Sequence, residues 1–206
     1  MKVLFIGGTG TISKAVSALA VEKGIDLYLF NRGNNNHFAP DDAKIIKGNI
    51  RNPDKASKKL QDYNFDVVVD WVAFTPEHIK IDIDLFKGKT EQYIFISSAS
   101  AYQKPQTNYL IDESTPLANP YWEYSQNKIA CENLLMSEYR KNNFPVTIVR
   151  PSHTYAKTSI PAALNSNKAP WSLIDRMRKG KKILVHGDGS SLWTMTHNSD
   201  FAKGIV

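Results

Sequence analysis

Apolar runs and amphipathic stretches alternate along the chain from its first residues. Near-continuous apolar segments, several rich in Val and Ile, occupy residues 2–6, 26–30, 43–47, 66–72, 92–97 and 146–150. Runs of this kind are what parallel strands buried on both faces require. Segments with helical spacing lie between them. In 11–23 the apolar residues Ile12, Ala15, Val16, Leu19 and Ala20 share one face, and Gly24 stands where a C-cap is needed. Pro53 starts a helix through Leu60, with Asn52 as its N-cap. Thr75-Pro76 opens another through about Phe86. The longest helix covers 121–141, and Asn142-Asn143 closes it. This alternation predicts an α/β protein with a doubly wound parallel sheet in the order 3-2-1-4-5-6.

Two polar connections, 103–120 and 156–170, are long enough to be active-site loops. Past the second, the pattern predicts a short helix at 171–179, a strand at 182–186, the turn Gly187-Asp188-Gly189 and a final helix from Ser199 that stops without a cap. Two regions are therefore expected: a main domain over 1–155, and the start of a small, truncated C-terminal domain over 156–206.

Composition narrows the class. Of 206 residues 42% are hydrophobic and 22% charged, as in a soluble, core-forming protein. No apolar run approaches the roughly 20 residues of a membrane span. The N-terminal apolar stretch runs straight into glycines, so it reads as a strand and not as a signal peptide. Cys131 is the sole cysteine, which excludes an internal disulfide and points to a cytoplasmic location. The net charge of +6 could serve nucleic acid. Yet the basic residues are spread in small groups, such as Lys55 with Lys58 and Lys59, or Arg176 to Lys182. Solvated helix faces are the expected reading, and a nucleic-acid partner is not expected. The five histidines show no metal-ligand spacing, so no metal site is expected.

Residues 3–13 read strand, glycine turn, helix, the arrangement that holds a pyrophosphate. Gly8-x-Gly10-x-x-Ser13 and Gly7-x-x-Gly10-x-x-Ser13 both match glycine fingerprints, with serine in the third place. Gly7, Gly10, Thr11 and Ile12 are the candidate phosphate-loop positions of a Rossmann fold. The second strand ends Phe30-Asn31-Arg32. No carboxylate stands there to bind a ribose 2′-hydroxyl; Asn31 is neutral and Arg32 can pair with a 2′-phosphate. The expected cofactor is NADP, with NAD the alternative.

Tyr124 and Lys128 form Y-x-x-x-K, one helical turn apart on one face. An ammonium beside a phenol lowers its pKa and fits it for proton transfer. The pair follows a strand that ends in Ser97, Ser98 and Ser100, at the sheet end where α/β proteins place their sites.

Taken in order, the glycine loop, residues 96–102, Tyr124-x-x-x-Lys128 and residues 149–155 resemble the extended short-chain dehydrogenase/reductase superfamily, and within it the NAD-dependent epimerase/dehydratase group. The resemblance covers essentially the whole chain. It implies Ser98 as the catalytic serine, Tyr124 as general acid/base, and Lys128 as the group that binds the nicotinamide ribose. Asn49 and Ile50 match positions lining the adenine. Val72, Ala73 and Phe74 match the backbone beside the cofactor, and Pro151 and His153 the segment by the nicotinamide. The implied function is an oxidoreductase, epimerase or dehydratase acting by hydride transfer on a small-molecule, sugar-like substrate, with a homodimer expected. Two positions depart from the pattern. Gln103 stands where members often have glycine, and Trp193 where nucleotide-sugar enzymes carry a phosphate-contacting arginine. The alternative is a dinucleotide-binding regulator or RNA-binding protein without catalysis; the first half also resembles chloroplast stem-loop-binding proteins.

Overall fold

The computed structural model describes residues 1–159, 169–190 and 192–206. Strands β1 (Lys2–Ile6), β2 (Asp26–Asn31), β3 (Lys44–Lys47), β4 (Phe65–Asp70), β5 (Thr90–Ile96) and β6 (Val146–Val149) form one sheet in the order β3-β2-β1-β4-β5-β6. Every pairing in it is parallel, so the predicted Rossmann order is found. The crossovers carry α1 (Ser13–Glu22), α2 (Pro53–Leu60), α3 (Pro76–Phe86) and α4 (Glu123–Asn142).

Side chains alternate across the sheet and feed two cores. Leu4, Ile6, Val68, Tyr93 and Phe95 face α2, α3 and α4, where they meet Leu60, Ile79, Phe86 and Leu135. Val3, Phe5, Leu29, Val69 and Ile96 face the other way, onto Val16 and Ala20 of α1. Covering on both faces is why the strands read as unbroken apolar runs. The helix ends follow their chemistry. Asn52 Oδ1 accepts the Lys55 N–H at 3.3 Å to cap α2. Asn143, at φ +54°, ends α4 in the left-handed conformation that asparagine tolerates.

Beyond the sheet lie β7 (His153–Tyr155), α5 (Ser172–Arg178), β8 (Met195–His197) and α6 (Asn198–Ile205). The strand expected at 182–186 does not form. Ile183, Leu184 and Val185 are exposed and pair with no strand among the described residues. The pairing falls instead between β7 and β8, through His153 with Met195 and Tyr155 with His197. Most of the loop expected at 156–170 lies outside the described residues. The final helix packs back on α1: Ala202 joins the core of Val16 and Ala20, and Asn198 Nδ2 donates to the Thr11 carbonyl at 2.8 Å. No helix among the described residues is long and apolar enough to cross a membrane.

Candidate active site

A cleft of about 650 Å³ runs across the carboxyl ends of all six strands of the main sheet. Its lining includes Gly7, Gly10, Thr11 and Ile12 after β1, Asn31 and Arg32 at the end of β2, and Asn49 and Ile50 after β3. Val72 and Phe74 follow from β4, Ser98 from β5, Pro151 from β6, and Tyr124 and Lys128 from α4. Two expected positions do not line it. Ala73 is buried beneath the wall. His153 opens β7, where its ring meets Trp193 edge-on with centroids 5.8 Å apart.

The glycine loop needs its glycines. Gly7 and Gly8 adopt φ of +104° and +100°, a region that side chains other than glycine enter only with strain. A Cβ on Gly8 would lie 2.6 Å from Leu29 Cδ2. Ser13 has a task of its own at the third fingerprint position, where its Oγ accepts the Gly10 N–H at 2.9 Å. Ser17 Oγ donates to the Gly8 carbonyl at 2.8 Å and ties the loop to α1. At the end of β2, Asn31 Oδ1 accepts the Gly33 N–H at 2.9 Å. Asn31 Nδ2 is buried and has no hydrogen-bond partner among the described residues. A loop whose backbone only glycine can follow, with an orphaned donor beside it, suits a dinucleotide whose oxygens approach the main chain and the Asn31 amide.

Lys128 is almost fully buried, and its Nζ donates to the carbonyls of Ala73 and Ile96, each at 2.7 Å. Its ammonium also sits over the Phe95 and Phe74 rings, 4.6 and 4.9 Å from their centres. Burial lowers its pKa to about 8. The Tyr124 ring centre is 5.7 Å from Nζ. The expected lowering of the Tyr124 pKa is not found: burial raises the phenol above its ordinary range, against an opposing hydrogen bond with Ser98. The ammonium is committed to two carbonyls and not to the phenol oxygen. Ser98 belongs to a hydroxyl chain, with Ser98 Oγ 2.9 Å from Ser100 Oγ, which accepts from Ser125 Oγ at 2.9 Å.

Two charged clusters support this site and were not read from the sequence. Behind β5, Glu132 accepts from Ser97 Oγ and from the guanidinium of Arg150. Arg51, which itself lines the cleft, contacts the buried Asp70 and Asp82, and Tyr93 OH donates to Asp82. A signal existed for each. Asp70 ends an otherwise apolar strand, and Asp82 interrupts the stripe of Ile79, Ile83 and Phe86 on α3. Among the described residues no group of three His, Cys, Asp or Glu side chains could hold a metal ion.

The NAD dependent epimerase/dehydratase family matches over residues 3–206. The chloroplast stem-loop binding protein of 41 kDa b of Arabidopsis thaliana is 28% identical, over 100% of this chain and 54% of its own length. UDP-glucose 4-epimerase of Lactobacillus helveticus is 27% identical, over 92% of this chain and 62% of its own. The chain thus spans between half and two thirds of these relatives. Among solved structures, the dTDP-glucose 4,6-dehydratase of Bacillus anthracis in complex with NAD superposes with a TM-score of 0.81 at 20% identity, over 100% of this chain and 70% of that one. UDP-glucuronic acid 4-epimerase of Bacillus cereus, in complex with UDP-glucuronic acid and NAD, gives 0.77 at 20% identity, over 100% and 72%. The structural likeness carries the fold; the family match over nearly every residue carries membership, and the chain belongs to the NAD dependent epimerase/dehydratase family.

Proposed function

We propose that this protein binds a nicotinamide dinucleotide across the strand ends and acts with it on a hydroxyl- or carbonyl-bearing carbon of a small molecule, as an epimerase, dehydratase or reductase. The observation that carries this is the convergence of Ser98, Tyr124 and Lys128 on the cleft that the glycine loop opens. When bound, the cofactor supplies a hydride acceptor or donor at its nicotinamide carbon. The chain's own residues do the rest. The loop 7–10 and the start of α1 hold the pyrophosphate. Lys128 offers its ammonium to ribose hydroxyls, Ser98 donates to the substrate oxygen, and Tyr124 gives or takes that oxygen's proton.

NADP is the preferred form in this reading, because Asn31 presents an amide donor and Arg32 a cation where a carboxylate would repel a 2′-phosphate. The relatives named as UDP-glucose 4-epimerase and dTDP-glucose 4,6-dehydratase support a sugar-like substrate. Trp193 in place of an arginine favours one with less phosphate. A cytoplasmic homodimer completes the reading. Cofactor-dependent turnover over a panel of sugars and carbonyls tests it, with Tyr124→Phe as control. Activity unchanged in that variant would sink the mechanism.

One observation favours a second reading. The relative at 28% identity is named for stem-loop binding, and this chain carries a net charge of +6. A non-catalytic RNA-binding protein would shift a stem-loop RNA with strong salt dependence; no shift at low salt removes that reading.

A further inference from the structure

The chemistry proposed above uses the Tyr124 hydroxyl and gives no task to the two rings that touch that residue. Phe74 follows the turn out of β4 and lines the cleft. Trp122 immediately precedes α4. The Trp122 ring centre lies 4.8 Å from that of Tyr124, with the rings tilted by 39°, and the Phe74 ring centre lies 6.4 Å from it, tilted by 45°. Both separations fall within the range at which aromatic rings attract. The three rings are contiguous, and Tyr124 is their shared member.

Core packing does not account for the outer two. Phe74 is 44% exposed and Trp122 55%, and neither belongs to the cores on the two faces of the sheet. Trp122 is also the N-cap of α4, where its side chain makes no capping hydrogen bond. A Ser, Thr, Asp or Asn there would satisfy a free N–H of the first turn. Forgoing that cap for an exposed indole fits a binding surface. Both residues are held in place. Phe74 N–H donates to His78 Nδ1 at 3.1 Å, and the Lys128 ammonium lies 4.9 Å from the Phe74 ring centre. The Trp122 carbonyl accepts the Gln126 N–H at 3.1 Å, and Gln126 Nε2 donates to the Pro120 carbonyl at 2.6 Å.

Charge narrows the ligand. Among the described residues, the lysines and arginines that line the cleft are Arg32, Arg51 and Lys128. Arg51 is taken by Asp70 and Asp82, and Lys128 by two carbonyls. Arg32 follows β2, with β1 and β4 between it and β5. His78 accepts at Nδ1, as a neutral imidazole does. None of these groups is left beside Tyr124 for a diphosphate. We propose that Phe74 and Trp122, joined through the Tyr124 ring, form a stacking platform that selects the substrate. It takes an uncharged ring whose flat apolar face lies on Phe74 and Trp122, while the hydroxyl or carbonyl on that ring, or next to it, reaches Tyr124 and Ser98. That such a molecule is turned over rests on the function proposed above; that it binds here does not. Two kinds of ring present such a face, an aryl group and the C–H face of a pyranose, and the test separates them.

The test uses the full chain, with and without NADPH, and follows ligand titrations by saturation-transfer NMR. The aryl arm compares methyl phenyl ketone with methyl hexyl ketone. The pyranose arm compares methyl glucopyranoside with an open-chain hexitol. An unspecific apolar wall would favour the hexyl chain, which has more apolar surface to bury. The platform should instead favour one of the ring probes over its open-chain counterpart by about three- to tenfold. Phe74→Leu and Trp122→Leu keep an apolar side chain and remove the π face. Each should reduce the preference, and the double variant should abolish it, with thermal melts confirming that the variants fold. Should Phe74→Leu not fold, Trp122→Leu carries the test alone. No ring preference in either arm overturns the proposal, as does a preference that survives these substitutions. A wild-type protein that binds no NADPH overturns the function instead, and the ring preference measured without cofactor is then read by itself.

Discussion

Arg150 grips Glu132 with two nitrogens, Nε at 3.0 Å from Oε1 and Nη2 at 2.7 Å from Oε2, beside the turn after β5 that carries Ser97 and Ser98. Glu132 is almost fully buried, and Ser97 Oγ donates to the same carboxylate. Arg150 Nη1 reaches on to Tyr102 OH at 3.1 Å. The pair braces α4 against the segments that leave β5 and β6, the first of which carries Ser98. Removing one partner of such a buried pair strands the other's charge. Glu132→Ala should cost about 3–5 kcal/mol in urea unfolding. The double variant Glu132→Met/Arg150→Met should recover most of that. A single variant no worse than the double would refute the bracing role.

Strand order and helix placement were legible because each depends on a local pattern. Val67, Val68 and Val69 read as a buried parallel strand wherever their neighbours lie. The pairing of β7 with β8 was not legible, since it joins His153 to Met195 across more than forty residues of chain. Ile183, Leu184 and Val185 look more like a strand than Met195–His197 does, yet among the described residues they pair with nothing and stay exposed. The cleft residues were readable from motifs, with Ala73 and His153 as the positions that do not line it. What local patterns could not supply was the support: Arg51, Asp70, Asp82 and Tyr93 meet from the connection after β3 and from β4, α3 and β5. Their charges signal trouble in the sequence only when burial is already known.

Gly8 offers a test of the loop. Its φ of +100° strains any side chain, and an added Cβ meets Leu29 Cδ2 at 2.6 Å. Gly8→Ala should destabilise by roughly 1–3 kcal/mol and weaken dinucleotide binding, read by thermal melts and NADPH fluorescence. Leu29 is core, but Leu29→Val in the Gly8→Ala background should relieve the contact, while the backbone strain remains. A Gly8→Ala protein as stable as wild type would contradict the loop geometry.

Cofactor choice should be movable at the end of β2. Asn31→Asp places a carboxylate where a 2′-phosphate would sit, while offering an acceptor to a 2′-hydroxyl. Arg32→Ala removes a charge-assisted donor of the kind worth about 1.5–3 kcal/mol. Each change should lower the ratio of NADP to NAD affinity, by about tenfold or more, in paired titrations. A ratio untouched by both variants would place the selection elsewhere in the cleft.

Lys128 makes a prediction about stability against pH. Its amine falls from an ordinary 10.5 to about 8 in the folded chain, chiefly through burial. Below pH 8 both folded and unfolded chains carry the proton, and the folded state bears the full cost of a buried ammonium. Between pH 8 and 10.5 the unfolded chain holds a proton that the folded chain has released, so this group makes stability rise with pH. The gap corresponds to roughly 3 kcal/mol across that window. Lys128→Met removes the titration and also strands the Ala73 and Ile96 carbonyls, each at a cost of about 1–3 kcal/mol. These effects nearly cancel at pH 7, so the absolute stability of the variant says little there. The slope is the diagnostic quantity. Urea unfolding from pH 7 to 10.5 should show the variant losing stability relative to wild type as pH rises. Parallel curves for the two proteins would mean that Lys128 titrates alike in both states, and that its burial does not govern its proton.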